Sequence, residues 1–113
     1  MSLDDSYLLD IVVAAREVRQ LRMRTDQRTF QENRFHQLAF MKLLQDIGKA
    51  ASRLSPAART AFPDVPWREI IGLRHHLVHD YAGIDLNRIW LTIQQDVEPL
   101  LEALEPAIRP DDS

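Results

Sequence analysis

Residues 65–81 read VPWREIIGLRHHLVHDY, and the way this stretch folds decides how the rest of the chain is arranged. Proline is tolerated where a helix starts, so the spacing predicts a helix from about Pro66-Trp67 into RHHLVHDY. At about 100° per residue, with Trp67 at zero, Ile70 falls near −60°, Ile71 near 40°, Leu77 near −80°, Val78 near 20° and Tyr81 near −40°. These make one apolar stripe, and Arg74, at about −20°, sits in its middle. Burying an unpaired guanidinium costs on the order of several kcal/mol. Arg74 therefore needs an acid partner, a water-filled cleft, an interface with a second copy, or a route to the edge of the core.

The same helical period extends to both sides. From Leu3 to about Met23 apolar residues recur at three and four (Leu3, Tyr7, Ile11, Ala14, Ala15, Val18, Leu21), with Asp4 and Asp5 where the helix dipole favours acids. A polar break, RTDQR, leads into Phe30 to about Leu54, apolar on nearly every side and so expected to be buried on more than one face, which points to another copy of the chain as cover for the second. Ser55-Pro56 predicts the cap and first position of a short helical turn. Gly83 closes the Trp67 helix, and Asp85 caps a fourth helix carrying Leu86, Ile89, Trp90, Ile93, Val97, Leu100, Leu101 and Leu104. No alternating pattern predicts a strand. The expectation is an all-α, up-and-down bundle of four main helices plus a short turn. It forms a single domain over 1–113, with a frayed tail at about 109–113.

Composition narrows the chemistry. The 113 residues, 45% hydrophobic and 27% charged, are sufficient for one core. Without cysteine there is no disulfide, thiolate zinc site or thiol nucleophile, and a cytoplasmic location is the expectation. Neither a signal peptide nor a membrane segment is expected. Two lysines and twelve arginines against seventeen acids leave a formal net charge of −3, so no global basic field attracts nucleic acid, and any such contact must be local.

Three readings compete for RHHLVHDY: a metal site, a phosphate-handling site, or a solvated helix end. His75 and His79 are spaced so that two imidazoles can share a metal, but HHLVH lacks the glutamate of an HExxH helix, and His36 or Asp80 could join only through the tertiary fold. No metal site is expected, and His76, facing away from the stripe, is expected on the surface. A phosphate site needs Arg74 and His79 together, yet a straight helix sets them about 140° apart. They converge only if the helix distorts around Val78, or if two copies meet across a two-fold axis.

Arg74, four residues, His79, one residue and Tyr81, late in an all-helical chain, resemble the signature of the HEPN superfamily. DIGKAASRLS and VPWREIIGLRHHLVHDY are similar to the corresponding segments of its HepT-like branch, over roughly residues 5–105. Lys49 stands where that branch often has glutamate, and His75 where it often has asparagine. The resemblance implies a homodimeric, metal-independent endoribonuclease without a cofactor, the toxin of a toxin-antitoxin pair. It implies Arg74 and His79 as catalytic residues, His75 and Asp80 as supporting ones, and RNA as substrate. It also implies an MntA-like nucleotidyltransferase antitoxin that silences the enzyme by AMPylation of Tyr81. The alternative is a non-catalytic HEPN module that binds a nucleotide or regulates a nucleotidyltransferase partner.

Overall fold

Local capping chemistry sets the helix boundaries. The computed structural model describes residues 2–79 and 83–108. Helix α1 (Leu3–Arg22) opens with a capping box, in which Ser2 Oγ accepts the Asp5 N–H and Asp5 accepts the Ser2 N–H. Asp4 serves a different purpose from the dipole role expected of it. Its carboxylate accepts both the backbone N–H (2.9 Å) and the hydroxyl (2.7 Å) of Ser55. That ties the start of α1 to the end of α3 (Arg34–Arg53) and to α4 (Pro56–Ala61), which Ser55 caps as expected. At the other end of α1, Thr25 lies 3.1 Å from His36 Nδ1 in the first turn of α3. The two long helices therefore run antiparallel.

The polar break after Met23 is not merely a loop. Asp26 accepts the Thr29 N–H and caps a short helix, α2 (Gln27–Glu32), which ends at extended Asn33. Asn33 in turn caps α3 by accepting the His36 N–H. Gln37, the one buried polar residue among those described, donates to the carbonyls of Phe30 and Gln31 and fixes α2 against α3. Phe30, expected to open the long helix, instead sits in α2 and packs its ring on Phe40 and Trp90, at 5.6 and 5.3 Å.

Helix α5 (Trp67–His79) starts where the Trp67 indole N–H donates to the carbonyls of Arg59 and Phe62 at the end of α4. The expected fourth helix is two, α6 (Leu86–Gln95), capped by Asp85, and α7 (Val97–Leu104), followed by a 3-10 turn over Glu105–Ala107. Pro99 explains the break, because a proline ring clashes with the carbonyl four residues before it, here that of Gln95. Side chains from α1, α2, α3, α5, α6 and α7 share one hydrophobic core. No strand occurs among the described residues, and no described helix is long and apolar enough to cross a membrane.

Hydrogen bonding from Ser55 holds the Asp4 carboxyl below its ordinary value, first through the backbone N–H and then through the hydroxyl. A depressed folded-state pKa adds stability at pH above about 4, and that contribution is lost as pH falls through the folded value. Asp4→Asn is expected to lower Tm at pH 7, with the gap to wild type closing in acid. Thermal melts at pH 7 and pH 3 measure it.

Candidate active site on helices α3 and α5

Helix α5 buries Trp67, Leu73 and Leu77, while Val78 is 43% exposed and Ile71 half-buried. Its buried face is thus turned away from the expected stripe. The cause is Leu73, at about −120° on the same wheel, which moves the apolar centre to the Leu73–Leu77 side. Arg74 accordingly lies at the edge of the core, half-buried, with no hydrogen bond or ion pair among the described residues. Its stem packs at the α3–α5 seam.

Gly48 makes that seating feasible. A Cβ at position 48 would collide with Arg74 Cβ, lie 2.8 Å from Arg74 Cγ and 3.2 Å from the Ile70 carbonyl. Helix α5 therefore crosses α3 with the arginine stem laid against bare backbone. Helical periodicity did not single out Gly48; the signal was a glycine inside an otherwise helical run, DIGKAA.

His75 and His79 lie on the exposed flank of α5 with ring centroids 4.4 Å apart and planes tilted by 45°. Among the described residues no group of three or more His, Asp or Glu side chains could hold a metal, and His36 is engaged with Thr25 instead. His76 is half-buried rather than fully exposed. Asp80 and Tyr81 lie outside the described residues. Helix α5 runs on through His79, so the distortion at Val78 that would let one chain swing Arg74 and His79 together does not occur. Five positions along a regular helix separate them by about 7.5 Å of rise and 140° of rotation.

The grooves beside the two helices hold acids and bases together. The only acid in α3 is Asp46, which lines a groove toward α1, and the only acid in α5 is Glu69, which lines a cleft toward α6 and α7. That cleft, about 190 Å³, also holds Asp96, whose carboxyl is pushed up by burial and then by the charge of Glu69. Arg68, His75 and His79 are exposed on α5, as is Val78, whereas Lys49 lines the α1–α3 groove together with Asp10, Glu17 and Asp46.

The described residues form an all-helical bundle in which the Arg74 stem is seated at the α3–α5 seam and His79 lies five residues further along α5. The model of the family described as "Ribonuclease HepT-like" matches residues 11–107, and the chain belongs to that family. It is 33% identical over 100 residues to "Putative RNase MJ1380" of Methanocaldococcus jannaschii, covering 88% of this chain and 92% of that one. It is 29% identical over 94 residues to "Probable ribonuclease HepT" of Thermococcus cleftensis, covering 83% and 86%. No solved structure gives a significant match.

Replacing a helical glycine by alanine ordinarily gains up to about 1 kcal/mol. At Gly48 overpacking against a side-chain stem and a carbonyl, typically about 1–3 kcal/mol, outweighs it. Gly48→Ala is expected to be destabilised by roughly 1–2 kcal/mol in urea unfolding. Gly48→Ala should cost less in an Arg74→Gly background than in wild type, because the colliding stem is gone, and a double-mutant cycle measures that coupling.

Proposed function

We propose that this chain is the ribonuclease toxin of a toxin-antitoxin pair. In this reading it acts as a homodimer, with Arg74 of one subunit and His79 of the other converging on one phosphodiester. The observation that carries it is the rotation of Arg74 and His79 to different sides of a regular helix, which keeps one chain from bringing both to the same phosphate. Across a two-fold axis the same two residues can meet twice. Exposed Leu38 and Val78, with half-buried Ile71, supply apolar area for that pairing.

The reaction needs no metal in this reading. The neutral imidazole of His79 takes the proton from a ribose 2′-hydroxyl, and the freed oxygen attacks the adjacent phosphorus. The bond to the 5′-oxygen breaks, and that oxygen takes up a proton, leaving a 2′,3′-cyclic phosphate and a 5′-hydroxyl. With an ordinary pKa near 6.5, histidine can serve such proton transfers at neutral pH. Arg74, protonated throughout, stabilises charge as the phosphorane-like transition state forms. His75, whose ring lies beside that of His79, and Asp80 support it. AMPylation of Tyr81 by an MntA-like nucleotidyltransferase adds anionic bulk two residues after His79 and excludes RNA. Lys49, at a position where the family often has glutamate, keeps a second reading in view, a non-catalytic module that binds a nucleotide or a nucleotidyltransferase.

Wild type should cut total RNA in EDTA and leave cyclic phosphate ends, while Arg74→Ala and His79→Ala each lose at least a hundredfold in rate. Mixing the two inactive variants should restore about a quarter of wild-type activity, since half of the dimers are mixed and each holds one intact pair. A site contained in one chain would restore none. Absence of cleavage by an unmodified wild-type dimer supports the binding-module reading. Incubation with the nucleotidyltransferase and ATP should add the mass of one adenylate, lost in Tyr81→Phe.

A further inference from the structure

An indole N–H can only donate, and a buried donor without an acceptor is a cost that folded chains normally avoid. Trp67 shows the usual arrangement, donating to two carbonyls at 3.0 and 3.1 Å. Trp90 does not: it is 4% exposed, and its Nε1 is buried with no partner among the described residues. Its ring packs on those of Phe30 and Phe40, at 5.3 and 6.4 Å. The same side chain also lines an open hollow of about 520 Å³ where the end of α1, the start of α2, α6 and α7 meet. Most of the charge in that lining is already committed. Asp26 caps α2 through the Thr29 N–H, and Glu98 lies 3.7 Å from Arg19. Arg22 is the exception, half-buried and with no side-chain hydrogen bond or ion pair among the described residues. Its place in the last turn of α1 suits the helix dipole, which accounts for the charge but leaves the indole without an acceptor.

We infer that this hollow binds a small oxyanion, a compact molecule bearing a carboxylate or a phosphate, with one oxygen accepting the Trp90 N–H and its charge held by the Arg22 guanidinium. An unpaired guanidinium and an unpaired indole donor in the lining of one hollow call for the same complement, an oxygen that carries negative charge. The guanidinium matches either oxyanion in geometry as well as charge, and the indole fixes where one of its oxygens sits. Met23, 82% exposed, and Gln27 and Gln94, also exposed, line the same hollow, so they are free to turn aside as the oxyanion reaches the buried indole. The two glutamine amides can then donate to its remaining oxygens. None of these residues belongs to α5, which carries Arg74, His75 and His79, and the inference stands apart from the ribonuclease reading.

The two tryptophans supply a probe and its internal reference. Nitrogen–proton correlation spectra of the isotope-labelled full chain contain one indole signal for each, and Trp90→Phe assigns them by removing one while keeping an aromatic ring in the core. Inorganic phosphate and acetate, titrated separately at fixed pH into the tens of millimolar, are the ligands. At least one is expected to move the Trp90 signal along a saturating curve and to leave the Trp67 signal, already bonded within the chain, in place. The tighter of the two shows whether the site prefers a phosphate or a carboxylate. Arg22→Gln should weaken binding about tenfold, the loss expected for a charge-assisted hydrogen bond, with both indole signals of the free chain unmoved as evidence of an intact fold. A Trp90 signal that neither anion shifts overturns the inference and leaves the N–H directed at a neighbouring aromatic ring. An equal shift with sodium chloride overturns it too, since screening needs no site. So does an affinity that Arg22→Gln leaves unchanged.

Discussion

The contact of Arg74 with Gly48 is the constraint on which the rest depends. Helix pairs normally keep their axes 8–10 Å apart because side chains intervene. At Gly48 none does, and the arginine stem takes the vacant place. That arrangement answers the question raised by an arginine near the core: its Cβ and Cγ pack on the α3 backbone, and the residue as a whole is only half-buried. It also sets the rotation of α5. With Arg74 in the seam, Leu73 and Leu77 must face the core, and His75 and His79 must face outward. The chemistry-bearing residues are thus distributed by a packing contact two helices wide, with the Trp67 indole bonds fixing where the second helix begins.

How much of this could be read from the chain varies from element to element. Helices α1, α3 and α5 and the caps Ser55 and Asp85 were legible because period and capping chemistry agree there. Helix α2 was not, since six residues with one buried side chain give no period; Asp26 three residues before Thr29 was its only mark. The break at Asp96 was hidden for the opposite reason. A strong apolar run from Leu86 to Leu104 outweighed Pro99, although a proline in that register cannot continue the helix.

The position of Arg74 relative to the core was misjudged by angle. Leaving Leu73 out of the stripe put Arg74 at its centre, and restoring it moves Arg74 to the edge. Gly48 was overlooked because its effect is felt on another helix, and a wheel drawn for one helix cannot show what a missing side chain admits from its neighbour. The glycine inside DIGKAA marked the position, and the contact between α3 and α5 supplies its reason.

Charge makes the same point at the scale of the whole surface. A net charge of −3 argues against a long-range pull on a polyanion, but a sum says nothing about placement. Here many acids have structural partners: Asp5, Asp26 and Asp85 cap helices, and Asp4 ties α1 to Ser55. Glu98 and Glu105 hold Arg19, Glu105 also holds Arg16, and Asp46 holds Lys42. These acids are thereby engaged in helix caps, ties and ion pairs, and Asp46 shares the α1–α3 groove with Lys49. Arg74, by contrast, has no ion pair among the described residues. Which charges are already partnered therefore says more about what a surface can attract than their sum does.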